Sequence, residues 1–243
     1  MAAVKWTVNS SECLSRDCIV STMGDRAAKD ALFEALASVT KALSSGRRAE
    51  IIDLLAQGER SVEEIAGEIE QSVANTSHHL RALARAGLVT TRREGTRIYY
   101  AVASERVGEL WSAARDVAEQ HTADLDRLVT AYLGDRDELD VIDREELAAR
   151  LRDGTLLVLD VRPVSEYAAG HIAGARSVPV RELRKHLKAL PKDSEVVAYC
   201  RGRYCAYADE AVRELRKRGF TARRLEDGFP EWRRAAFPID VGD

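Results

Sequence analysis

From Arg26 to Ser45 the apolar positions Ala28, Ala31, Leu32, Ala35, Leu36, Val39, Ala42 and Leu43 recur at helical spacing along one face. Gly46 interrupts this helix, and a second runs through Ile51, Ile52, Leu54 and Leu55 to Gly58. Ser61-Val62-Glu63-Glu64 forms a capping box that opens a short helix through Ile65 and Ile69. A break at Gln71-Ser72 precedes a further helix from Val73 to Arg85, stopped by Gly87. The pattern then changes: Leu88–Arg93, a Glu94-Gly95 turn and Thr96–Val102 read as a β-hairpin. Beyond it, Ser104 caps one long helix with the stripe Val107, Leu110, Trp111, Ala114, Val117, Ala118, His121, Leu125, Leu128, Val129 and Tyr132. A helix so long and so apolar on one face needs a partner. The first helix of a second copy matches it and predicts a homodimer, with His121 as a packed interface histidine.

After the polar link Gly134-Asp135-Arg136-Asp137-Glu138 the pattern alternates between strands and helices. Strands are predicted at Val141-Ile142, Leu156–Val161, Ala175–Val178, Glu195–Tyr199 and Ala222–Leu225. Helices are predicted at Glu145–Arg152, near Glu166-Tyr167, at Arg181–Leu190 and at Ala206–Arg218. This alternation implies an α/β domain with a largely parallel sheet, whose sites lie at the carboxyl ends of strands. The expected division is therefore a flexible extension over 1–25, a mainly α domain over 26–133, a linker over 134–139 and the α/β domain over 140–243.

The chain of 243 residues is long enough for two modest cores, and its formal net charge is only −3. Any basic surface must therefore be local. Neither a signal peptide nor a membrane span is recognisable, which points to the cytoplasm, and no cofactor is expected. There, cysteines are more often reactive or buried than bridged. Cys13 and Cys18 are spaced too widely for a zinc pair and read as incidental.

Between Ser72 and Tyr100, Arg81, Arg85, Arg92, Arg93 and Arg97 stand against the single acid Glu94, a local charge of +4. Two short helices around a tight break, followed by a hairpin with arginines at its tip, read as a helix-turn-helix with a basic wing. Such a face neutralises phosphates of double-stranded DNA. The segment Ser72–Leu83 (SVANTSHHLRAL), with Ala86-Gly87-Leu88-Val89 after it, resembles the recognition helix and wing start of ArsR-family winged-helix repressors. The resemblance covers about residues 26–133 and implies a cytoplasmic homodimer on an inverted-repeat operator. Asn75, Thr76, Ser77, His78 and Arg81 are the candidates for base edges, and Arg92, Arg93 and Arg97 for phosphates. The short helix Glu63–Ile69 has no cysteine pair, and the long helix offers only Asp116, His121 and Asp124, so no metal site is expected.

The run Cys200-Arg201-Gly202-Arg203-Tyr204-Cys205 lies between a buried strand and a helix. Backbone N–H groups of such a loop can surround an anion, and the helix dipole favours negative charge. Arg201 and Arg203 would add positive charge beside the sulfur, so Cys200 is expected to hold a thiolate more readily than a free cysteine. Four ordered motifs resemble single-domain rhodaneses: Leu159-Asp160-Val161-Arg162 with Glu166-Tyr167, Gly170–Ala175 (GHIAGA), the Cys200 loop, and Asp227–Trp232 (DGFPEW). The resemblance implies a sulfurtransferase in which Cys200 takes a sulfane sulfur and passes it to a thiol acceptor, the persulfide held by the N–H groups of 201–205. Asp160, Arg162, His171 and Trp232 are expected to be scaffold.

The loop departs from the commonest rhodanese pattern, which has an arginine five residues after the nucleophile, where this chain has Cys205. That speaks against thiosulfate as the preferred donor, and Ala206 at the next position speaks against phosphate-ester hydrolysis. Cys205 reads either as a small residue at a helix start or as a resolving thiol. Together the two halves suggest a repressor responsive to reactive sulfur or redox state through a Cys200 persulfide. The alternatives are an active sulfurtransferase whose DNA-binding domain autoregulates its gene, and an inert rhodanese docking module.

Overall fold

A computed structural model describes residues 25–154 and 156–242. The extension carrying Cys13 and Cys18 lies outside the described residues, apart from Asp25. The amino-terminal half begins with helices α1 (Arg26–Ala42) and α2 (Gly46–Leu55). A two-residue strand β1 (Arg60–Ser61) runs straight into α3 (Val62–Glu68). Its capping box forms: the Ser61 hydroxyl accepts from the Glu64 amide at 3.3 Å, and the Glu64 carboxylate accepts from the Ser61 amide at 2.7 Å. Helix α4 (Val73–Arg85) follows, then strands β2 (Val89–Glu94) and β3 (Arg97–Val102). The sheet has the order β1-β3-β2, so the expected hairpin gains a third, short strand. Ile51, Ile52, Leu55, Ile65, Leu80 and Leu83 fill the core beneath it.

The single long helix expected after the wing is two helices, α5 (Glu105–His121) and α6 (Leu125–Leu133). Thr122 is extended at φ −95°, ψ 107°, and the chain re-enters helix only after Asp124. The residues at the break, His121, Thr122 and Asp124, are all weaker helix formers than those on either side. α1 buries none of its residues, and Leu32, Phe33 and Leu36 are exposed.

The carboxyl-terminal half is built on five parallel strands: β4 (Val141–Ile142), β5 (Leu156–Asp160), β7 (Arg176–Ser177), β8 (Glu195–Tyr199) and β9 (Ala222–Leu225). Their order is β4-β9-β8-β5-β7. A separate antiparallel pair joins β6 (His171–Ile172) to β10 (Ile239–Asp240). Helices α7 (Arg144–Arg152), α8 (Val164–Ala169), α9 (Leu183–His186), α10 (Ala206–Lys217) and α11 (Phe229–Arg234) pack around the five strands. The segment expected as one helix over 181–190 is instead α9 flanked by two 3₁₀ turns.

Both faces of this sheet are covered, as parallel strands require. Along β8, Val196 and Ala198 face one core with α10, while Val197 and Tyr199 face the other with Trp232. Period-two alternation therefore turns the next residue, Cys200, under α10. No helix among the described residues is long and apolar enough to cross a membrane.

Leu215 on α10 is fully buried against this core. Leu215→Ala is expected to cost about 2–5 kcal/mol, read as a lower urea midpoint for the carboxyl-terminal half. An unchanged midpoint would contradict the packing.

Candidate functional site

Cys200 directly follows β8, and α10 begins six residues later, so the intervening loop curls over the carboxyl edge of the sheet. It sits deep because residue 228 is glycine: a Cβ there would meet the Gly202 backbone nitrogen at 2.3 Å. The Cys200 carbonyl accepts from the Phe229 amide at 3.1 Å, which ties the loop to the start of α11. The Cys205 amide, expected to face an anion, instead donates to the Gly202 carbonyl at 3.0 Å.

The sulfur itself is enclosed. Cys200 is 2% exposed, and its Sγ lies 3.5 Å from the Cys205 carbonyl and 3.8 Å from that of Gly202. Burial, followed by a hydrogen bond to Cys205, pushes the Cys200 thiol well above its ordinary value, against the amides of Gly202 and Ala208. This corrects the expectation of a ready thiolate. Cys205, at the amino end of α10, moves the other way. The hydrogen bond from Cys200 favours its anion, as do the backbone amides of Tyr207 and Arg201, and together they outweigh burial.

The arginines do not supply the positive charge expected of them, because their charge is already matched. Arg201 donates to Glu166 at 2.6 and 2.9 Å and pairs with Glu68 at 2.8 Å. Burial opposes the Arg201 cation, yet these two carboxylates hold it above the usual arginine value. Glu166, 1% exposed, is also paired with Arg60 of β1. Arg203 bonds Glu119 at 2.7 Å and Asp227 at 3.1 Å. The Tyr204 hydroxyl donates to Glu119 at 2.6 Å, and burial together with that bond pushes its phenol up to about 12.

Glu68, Arg60 and Glu119 all belong to the amino-terminal half, so the loop is docked on it. Gln57, 2% exposed, completes the contact: it donates to the Arg201 carbonyl at 3.0 Å and accepts from Arg162 at 3.2 Å. Arg162 is in turn held by Asp160 at 3.0 Å and by the Gly170 carbonyl at 2.7 Å. Tyr199 donates to the same Asp160 at 2.6 Å. On α5, Arg115 bonds Glu231 at 2.6 Å. The connection between the halves is pinned as well, since Arg136 donates to the Arg203 carbonyl at 2.9 Å. A cavity of about 370 Å³ remains between the halves, lined by Glu50, Asp53, Glu68 and Tyr132 on one side and by Arg201, Cys205 and Tyr207 on the other.

In the amino-terminal half, α4 presents Asn75, His78 and Arg81 to solvent, with Ser77 half-buried. Thr76 departs from its expected place at a base edge. It is fully buried, on the face shared with Leu80 and Leu83, and its hydroxyl has no hydrogen-bond partner among the described residues. Arg92, Arg93 and Arg97 are exposed on the wing. Arg92 is held by Glu59 at 3.0 Å and Glu94 at 2.7 Å, so the wing is less cationic than the count between Ser72 and Tyr100 implies.

Comparison with known proteins agrees with this two-part architecture. The model of arsR-family bacterial regulatory proteins matches residues 45–91, and that of the rhodanese-like domain matches 143–235. Over 214 residues, 88% of this chain and 94% of the relative, the chain is 47% identical to the HTH-type transcriptional regulator Rv0324 of Mycobacterium tuberculosis. The chain belongs to the ArsR family. It is a transcriptional regulator of that family with a carboxyl-terminal rhodanese-like domain. Over 100 residues, 40% of this chain and 92% of the relative, it is 34% identical to a sulfurtransferase of Allochromatium vinosum. A solution structure of the homodimeric winged helix-turn-helix domain of a possible ArsR-family regulator from Mycobacterium bovis is 47% identical. That match covers 41% of this chain and 93% of that one, with a TM-score of 0.38.

The residues that the sequence did not mark in this ArsR-family regulator are Gln57, Arg60, Glu68 and Glu119. Each acts across the domain contact, and nothing in local spacing signals such a partner. Thr76 could have been placed from its spacing to Leu80 and Leu83.

Iodoacetamide on the folded protein is expected to alkylate Cys205, with a rate rising at a lower pH than for an ordinary thiol at about 8.5, while Cys200 stays unmodified until urea is added. Peptide mass spectrometry reads both sites, and prior labelling of Cys200 would contradict the burial described.

Proposed function

We propose that this ArsR-family regulator is a repressor whose hold on DNA answers to reactive sulfur or redox state through a persulfide on Cys200. The docking of the loop carries the reading: Arg201, Arg203 and Tyr204 bond Glu68 and Glu119 of the DNA-reading half. Glu68 closes α3, which packs against the recognition helix α4, and Glu119 lies on α5. A sulfur atom added at enclosed Cys200 must be accommodated by the loop, and the loop is bonded to those helices. Differential contact of this kind is what a linked equilibrium between two sites needs. Asn75, Ser77, His78 and Arg81 would read base edges, with Arg93 and Arg97 on phosphates and Arg92 released to a phosphate from its carboxylates.

Two copies would act together on an inverted-repeat operator. Leu32, Phe33 and Leu36 of α1 and Leu128 of α6 are more than half exposed, an apolar surface that a second copy would cover. A freely turning sulfurtransferase draws less support, because the Cys200 thiol is enclosed and favoured in its protonated form.

Fluorescence anisotropy with a DNA fragment selected by the protein from a random library tests the reading. Polysulfide is expected to change Kd by at least about five-fold for the natural chain and to leave Cys200→Ser unchanged. An equal response in the variant would overturn it. For the assembly, Leu32→Glu combined with Leu36→Glu is expected to yield monomers by light scattering and to weaken DNA binding. A dimer of unchanged mass would exclude α1 from the interface.

A further inference from the structure

A persulfide on Cys200 requires sulfur to reach a side chain that is 2% exposed and absent from the wall of the cavity between the halves. The cysteine on that wall is Cys205. The Cys200 Sγ lies 3.5 Å from the Cys205 carbonyl, so the two cysteines are neighbours, with Cys205 toward the cavity and Cys200 behind it.

We infer that Cys205 is the receiving thiol of a two-cysteine relay, taking sulfane sulfur from a small organic hydropersulfide in the interdomain cavity and handing it to Cys200. The inference rests on the reading that Cys200 carries the persulfide. In the first step the Cys205 thiolate attacks the outer sulfur of the donor R–S–S–H. The donor S–S bond breaks, R–S⁻ leaves and takes a proton from solvent, and Cys205 becomes Cys205–S–S–H. In the second step the Cys200 sulfur attacks the outer sulfur while its proton passes to the departing Cys205 sulfur. The Cys205 S–S bond breaks, leaving Cys200–S–S–H and a Cys205 thiol, which then loses its proton to solvent. The donor's sulfane sulfur is transferred without change of oxidation level, so no oxidant is consumed.

The properties of the two cysteines suit these roles. Cys205, with its anion favoured at the amino end of the 12-residue α10, suits the attacking and leaving role. The cavity also selects the donor. Its wall carries Glu50, Asp53 and Glu68, and its two arginines are already matched, Arg115 with Glu231 and Arg201 with Glu166 and Glu68. A dianionic donor finds no unmatched cation there.

The test loads the full chain with cysteine hydropersulfide, blocks the remaining thiols and locates added sulfur by peptide mass spectrometry. The natural chain should carry one added sulfur atom on Cys200. Cys205→Ser should load Cys200 at least about ten-fold more slowly, with an unchanged thermal melt, because direct attack from the cavity is blocked. Cys200→Ser should trap the sulfur on Cys205, an outcome that does not depend on how the Cys205 variant folds. Loading of Cys200 in Cys205→Ser at the natural rate would overturn the relay and leave the persulfide reading standing. Sulfur on neither cysteine of the natural chain would overturn both.

Discussion

The alternating chain of charges Arg60, Glu166, Arg201 and Glu68 holds the two halves of this regulator in one arrangement. Two of its members come from each half, and Arg60 and Glu166 are almost wholly removed from water. Ions so placed are tolerated only when each is paired, so neither half can leave without exposing or orphaning charges of the other. The remaining contacts are arranged around that chain. Gln57 links it to Arg162 and Asp160 beneath the sheet edge, and Arg115 and Glu119 extend it along α5 to the far end of the sulfur loop. The geometry of the loop is thus as much a property of the DNA-reading half as of the sheet that carries it.

This arrangement changes the chemistry that a loop of this composition would otherwise have. Two arginines beside a cysteine would ordinarily draw out its proton, but here both guanidiniums are paired with carboxylates. The alternation of β8 sends the Cys200 side chain under α10, away from water. Anionic character falls instead on Cys205, which has the helix start, the neighbouring amides and the Cys200 hydrogen bond in its favour. The contrast in character between two thiols five residues apart is set by which way the strand and the helix turn each of them.

Much of this was legible in the chain. The strand Glu195–Tyr199 was bounded by its apolar run, and the capping box at Ser61 announced α3 because its two hydrogen bonds are local. The buried side of Thr76 was also within reach, through the three- and four-residue spacing that it shares with Leu80 and Leu83. What could not be read is everything that depends on the two halves meeting. Gln57 and Arg162 are 105 positions apart, and Arg203 and Glu119 are 84 apart. No periodicity encodes such a meeting. The break at Thr122 escaped for another reason: the apolar stripe continues across it, and periodicity cannot see one residue turning extended.

The place of Gln57 bears on what a truncated protein would be. A carboxyl-terminal piece cut out after α6 would lose Gln57, Arg60, Glu68 and Glu119 at once. The Arg201 carbonyl and one arm of the Arg162 guanidinium would open to water, Glu166 would keep Arg201 alone, and Arg203 would keep only Asp227. The severed loop would be more cationic, wetter and freer to move than the one in the intact chain. Thiol reactivity measured on such a fragment would therefore describe a loop in surroundings that the whole polypeptide never presents.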